Sequence, residues 1–297
     1  MKTSALAFLS ILLCLPMFGQ EPYKLSVDVD LVLFNVTVLD HKGHVVSGLQ
    51  PKNFRVYEDG KLHDIKLFRP EDIPATVGLV MDNSGSMINK RQEAVDAAIE
   101  FVRSSNVQDE LFIVNFNDSV QMGLPEATLF SSDSSQLRDV LQSIKADGRT
   151  ALYDGVAAAL THLDKGTHQK KALVVLSDGG DNASRQTLSD VSKLVETSRA
   201  TIYTIGIYDT WQRDKNPKVL RELSKLTGGE SYVLHNVKDL TRIWRQIAGG
   251  IRSQYTVGYT SSNTARDGAF RKVKIVAVKD GKQLEVRTRP GYAAPRE

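Results

Sequence analysis

The sequence predicts an α/β fold, a doubly wound and mostly parallel sheet inserted in a β-sandwich built from the N- and C-terminal segments. Two patterns carry this expectation. Over residues 75–252, short apolar runs alternate with amphipathic stretches, the rhythm of parallel strands joined by crossover helices. On either side, residues 23–70 and 254–292 alternate apolar and polar side chains. Neither flank is long enough to bury a good core alone, so the two are expected to share one.

Residues 1–19 read as a secretory signal peptide. Met1-Lys2 gives a short positive start. Ala5 to Leu15 is apolar except for Ser10, and small Gly19 precedes the expected cut. This run is too short to span a bilayer stably, and no later segment is apolar enough to cross a membrane. The expected location is secreted or periplasmic. Cys14 is the only cysteine, and bulky Leu13 before it does not suit lipid attachment. The mature chain would hold no thiol, which excludes disulfides, thiol catalysis and cysteine-based zinc sites.

Residues 20–71 are assigned to the first part of the sandwich. Val27, Val29, Leu31 and Leu33 share one alternation phase, and Phe34, Val36 and Val38 share the other. Such a slip predicts a bulge or a strand that crosses between sheets. Asp40-His41-Lys42-Gly43 is a turn. Glu58-Asp59-Gly60-Lys61 is a hairpin signal, expected to pair Phe54–Tyr57 with Ile65–Phe68. Pro70 to Pro74 reads as a linker.

Residues 72–252 form the inserted unit. Expected strands are Val77–Met81, Leu111–Val114, Ala172–Leu176 and Ile202–Ile207. Expected helices cover Ser134–Lys145 and Ala151–Leu163, with a further helix face at Val95, Ile99 and Val102. The last helix carries Leu240, Ile243, Trp244, Ile247 and Ile251 on one stripe, with Asn236 as its cap. Residues 253–297 return to strands, with Asp280-Gly281 as a turn.

Composition narrows the function classes. Apolar content of 41% and charged content of 25% describe a soluble globular protein. A net charge of +3 is too small to argue for nucleic acid. The basic stretch Arg266–Arg289 has no interleaved aromatic residues for base stacking and reads as a solvated sheet face. The six histidines are scattered, and no Gly-x-Ser-x-Gly elbow or glycine-rich phosphate loop occurs.

Asp82-Asn83-Ser84-Gly85-Ser86 follows the apolar run ending at Met81 and precedes a helical pattern. That order places the turn at the carboxyl edge of the sheet, where open α/β folds bind ligands. A carboxylate and two hydroxyls at alternate positions can converge on one hard cation. Oxygen donors suit Mg²⁺ or Mn²⁺ better than Zn²⁺.

Asp82-x-Ser84-x-Ser86 resembles the metal-ion-dependent adhesion site (MIDAS) of von Willebrand factor A (VWA) domains, whose fold is Rossmann-like. Gly148-Arg149-Thr150-Ala151-Leu152 resembles that family's threonine loop, and Leu173–Gly179 its second apolar strand ending in Asp-Gly. The resemblance spans roughly residues 72–252 and implies Asp82, Ser84, Ser86, Thr150 and Asp178 as metal ligands. Asp118, Asp154, Asp181 and Asn182 lie in or beside the same edge loops, where they would orient ligands or cap helices. Arg149 stands where many members have glycine, as a solvated side chain or a contact for an incoming anion.

The implied function is a metal-dependent protein-binding module, not an enzyme, which captures an Asp or Glu carboxylate of a partner. Alternatives are an envelope component whose metal only stabilises the fold, or a metal-dependent hydrolase. Against the hydrolase, Ser84 stands where an aspartyl-phosphate enzyme has a second carboxylate. Phe54–Gly60 and Arg289-Pro290-Gly291-Tyr292 resemble the flanks of secreted bacterial VWFA-related proteins of acidobacterial type.

Overall fold

A computed structural model describes residues 31–70, 72–208 and 215–296. The signal-peptide reading, and the strand phase read from Val27 and Val29, lie outside the described residues. Four strands come first: β1 (Leu31–Leu39), β2 (Phe54–Glu58), β3 (Lys61–His63) and β4 (Ile65–Arg69). The inserted unit then runs β5 (Ala75–Asp82), α1 (Arg91–Ser104), β6 (Glu110–Phe116), β7 (Val120–Met122), α2 (Ser134–Ser143) and α3 (Leu152–Leu163). It continues through β8 (Lys170–Ser177), α4 (Leu188–Thr197), β9 (Thr201–Ile207), α5 (Pro217–Thr227), β10 (Ser231–Leu234) and α6 (Leu240–Arg252). The chain closes with β11 (Tyr255–Thr260), β12 (Phe270–Lys279), β13 (Lys282–Arg287) and β14 (Gly291–Ala293).

The inserted unit is a six-stranded sheet in the order β10-β9-β8-β5-β6-β7, parallel except for β7 at one edge. All eight residues of β5 are buried, as expected for a central strand covered on both faces. On one side α1 packs between α2 and α6, and on the other α4 packs between α3 and α5. The predicted α6 stripe is buried throughout, and Trp244 meets the Phe101 ring at 5.2 Å. Burial of each such side chain contributes roughly 1.5–3 kcal/mol. Asn236 Oδ1 accepts the Lys238 N–H at 3.0 Å and so caps the turn that leads into α6.

The flanks combine as one antiparallel sheet, β3-β2-β12-β13-β1-β11-β4, with β14 added beside β12. It curls until its two halves face each other. Phe54 on β2 lies 5.4 Å from the Phe68 ring on β4 and 5.3 Å from Tyr255 on β11. The expected two-sheet sandwich is therefore closer to a barrel. β1 does change partners, but three residues after the expected slip at Leu33–Phe34: Leu31–Val36 pair with β11, and Thr37–Leu39 pair with β13.

One pairing differs from the expectation. Asp59 and Gly60 do form the hairpin turn, both at positive φ (47° and 84°), but the partner of β2 is β3. Ile65–Arg69 pair with β11 at the far end of the sheet path. The chain crosses over at Asp64, which the alternation of the two short strands does not reveal.

The curled sheet meets the inserted unit at the amino ends of the parallel strands. Arg287 Nη1 lies 2.7 Å from Glu230 Oε2, beside the start of β10. Gln254 Nε2 donates to Thr201 Oγ1 (3.3 Å) and Tyr203 Oη (3.2 Å) on β9. Arg289 donates to Leu33 O (2.8 Å) and Ser198 O (3.4 Å), and its guanidinium sits 4.5 Å over the Phe34 ring.

Candidate metal centre

The opposite pole, at the carboxyl ends of the strands, holds the predicted site residues. Asp82 ends β5 and is 2% exposed. Its Oδ2 accepts the Ser177 hydroxyl at 2.6 Å and its Oδ1 accepts the Ser84 N–H at 2.9 Å. The Ser84 and Ser86 hydroxyls are 3.1 Å apart, and Ser86 Oγ donates to Asp178 Oδ2 at 2.6 Å. The first motif and the Asp-Gly motif, 92 residues apart, thus meet through hydroxyl–carboxylate contacts.

The threonine loop is attached to both by its backbone. Gly85 N–H donates to Gly148 O (3.0 Å) and Asp147 N–H to Asn83 O (2.8 Å). Thr150 O accepts from the Asn182 and Ala183 N–H groups, and Asn182 Oδ1 accepts the Thr150 N–H at 2.9 Å. Gly148 is needed for this arrangement. Its φ is +77°, and a Cβ there would lie 1.9 Å from Asp118 Oδ2.

The remaining candidates brace the loops. Asp181 accepts the Tyr153 N–H and the Ser184 hydroxyl, satisfying a free amide in the first turn of α3. Asp154 accepts the Arg185 and Gln186 N–H groups. Asp118, in the β6–β7 turn, holds Arg149 Nε at 2.8 Å, so Arg149 is ion-paired at the rim although two-thirds exposed. The guanidinium keeps the Asp118 carboxyl below the usual carboxylate range.

Two further residues belong to the site. Ser177 is fully buried and also accepts the Gly179 N–H at 3.0 Å, so it fixes both carboxylate segments. Asn83 bonds Asn115 Oδ1 (2.9 Å) and Met81 O (3.1 Å) beneath the turn. The signal for Ser177 was its place at the end of an apolar strand, where a polar side chain must find a partner.

Electrostatics test whether a cation fits. Burial pushes the Asp82 carboxyl up to about 6, against hydrogen bonds from Ser177 and Ser84 that favour its charge; Asp178 adds repulsion. No cationic side chain figures among these influences. A buried carboxylate supported by neutral donors, with hydroxyls and a second carboxylate beside it, is a donor set made entirely of oxygen. The group fits a divalent ion with oxygen preference. Among the described residues no three His, Cys, Asp or Glu side chains cluster, since hydroxyls fill most positions here.

Comparisons with known proteins bear on the fold that carries these residues. Residues 77–180 match the von Willebrand factor type A domain. An uncharacterized protein of Synechocystis sp. is 21% identical over 194 residues, 64% of this chain and 44% of its own. The chain spans about half the length of the curated relatives it matches. Among solved structures, a von Willebrand factor type A protein from Catenulispora acidiphila aligns with a TM-score of 0.54 at 14% identity, over 90% of this chain and 74% of its own. Proximal thread matrix protein 1 from the mussel byssus, with a zinc-occupied MIDAS motif, aligns at 0.50 and 16% identity, over 60% of this chain and 48% of its own. The mostly parallel sheet, the motif order and the domain match agree: this chain carries a von Willebrand factor type A domain.

Proposed function

We propose that this chain is an exported, metal-dependent protein-binding module and not an enzyme. In this reading Asp82, Ser84, Ser86, Thr150 and Asp178 hold Mg²⁺ or Mn²⁺. The observation that carries it is the buried Asp82 carboxylate, which neutral donors orient and beside which the Ser84 and Ser86 hydroxyls and the Asp178 carboxylate gather. When bound, the ion would offer an open coordination position to an Asp or Glu carboxylate of a partner protein.

The chain's own part is orientation and charge. Ser177 and the Ser84 amide fix Asp82, Ser86 fixes Asp178, and the Gly148 contact fixes the threonine loop. With two carboxylates and three neutral oxygens, the site would leave a divalent ion electron-poor, which favours an external anion over activation of water. No helix among the described residues is long and apolar enough to cross a membrane. Export rests on the character of residues 1–19. The division into 20–71, 72–252 and 253–297, and the acidobacterial-type reading of the flanks, belong to the same proposal.

Titration calorimetry with Mg²⁺ tests the site. Asp82→Ala is expected to abolish binding while circular dichroism stays unchanged. Thr150→Ala should weaken it less, since water can replace a neutral ligand. An acidic peptide added to the Mg²⁺-loaded protein should bind, and EDTA should release it. Unchanged Mg²⁺ affinity in Asp82→Ala defeats the metal site; peptide binding that survives EDTA defeats the adhesion reading.

A further inference from the structure

The seam between the two sheets encloses a second feature, at the pole away from the metal centre. An open cleft of about 620 Å³ lies between the end of α4, the start of β1, the β11–β12 loop and β14. Arg199, Arg266 and Arg289 line it, and Glu196 is the one acidic residue of that lining among the described residues. Two adjoining clefts share Leu33 and Arg199 with it, and the smaller of them also shares Arg289. The arginines therefore stand where the clefts meet.

The two central guanidiniums differ in role. Arg289 is held rigidly by the Leu33 and Ser198 carbonyls and by the Phe34 ring. Those contacts use neutral acceptors, two backbone carbonyls and an aromatic ring. Arg199 is exposed just past α4 and lines the same cleft. Burial, with Arg199 as the next influence, pushes Arg289 down to about 10. A fixed, partly desolvated Arg289 strengthens an interaction with an anion, because little of its side-chain freedom remains to be lost, and exposed Arg199 adds a second positive charge at the mouth of the same cleft.

We propose that this cleft is a binding site for a small oxyanion, carboxylate or phosphate, held between Arg199 and Arg289. An anion there would remove the mutual repulsion of the two guanidiniums. It would also add a bridge between the inserted unit, through Arg199, and the curled sheet, through Arg289. The site is independent of the metal and of the adhesion reading.

The test uses the full chain in EDTA, titrated separately with citrate and with inorganic phosphate at constant ionic strength in sodium chloride. Saturable binding of at least one is expected, with a rise in melting temperature, and the better binder identifies the class. Arg199→Gln, an exposed change, should weaken binding tenfold or more while its anion-free melting temperature stays near wild type. Asp82→Ala should bind the anion as wild type does. Failure of both anions to bind above the chloride control overturns the proposal. So does equal affinity in Arg199→Gln, and so does loss in Asp82→Ala, which would place the anion at the metal pole.

Discussion

Asp82 is where the residue chemistry is sharpest. Its carboxyl is raised from 3.8 to about 6 by burial. The folded chain therefore keeps a proton that the unfolded chain releases. Metal-free stability should fall as pH rises from about 4 to about 6, by roughly 3 kcal/mol, and then level off. Asp82→Asn should flatten that slope, as urea unfolding in EDTA at several pH values would show. The same proton competes with the ion, so apparent Mg²⁺ affinity should drop about tenfold per unit below pH 6. Gly148→Ala is the local backbone test. It adds a Cβ at φ +77° against Asp118, so it should cost about 1 kcal/mol or more and weaken Mg²⁺ binding by shifting the threonine loop. Asp82, Ser84, Ser86, Thr150 and Asp178 were legible because a motif compresses them into three short phrases. Ser177 and Asn83 were not singled out, because their partners lie on neighbouring strands, out of sequence view.

At the scale of elements, legibility followed periodicity. The β5, β6, β8 and β9 strands are continuous apolar runs, and α6 has a clean stripe, so each was readable. The helices α4 and α5 were missed. Only Val191 and Val195 are fully buried in α4, so its apolar face is narrow, and its start is set by a Thr187–Asp190 capping box and not by a hydrophobic pattern. Edge strands β7 and β10 are three and four residues long, too short for any period to register. The β2–β3 hairpin was located by its turn, but its partner was misassigned. Two consecutive short strands at opposite ends of a curled sheet look in sequence like one longer arm.

At the scale of the whole molecule, the flank core depends on both ends of the chain. Phe34, Val36, Val38, Phe54 and Val56 pack with Tyr255, Val257, Tyr259, Val273 and Ile275. Each large side chain contributes roughly 1.5–3 kcal/mol, so ending the chain at residue 253 should leave residues 31–69 unfolded, seen as dye binding and rapid proteolysis there. The central strand β5 has a further consequence. It follows β4 of the curled sheet after a short link and runs to Asp82 at the far pole, roughly 25 Å away at about 3.3 Å per residue. It is bonded along its length to β6 and β8. A tether pulling between the metal face and the flank sheet would load β5 along its own axis. The load would then run down the extended β5 backbone itself, so its hydrogen bonds to the two neighbours need not open for the force to be borne. Pulled from Asp82 against a flank-sheet anchor in an optical trap, the domain should rupture at higher force than when pulled sideways from β7. The insertion geometry thus sets a mechanical axis as well as an architecture.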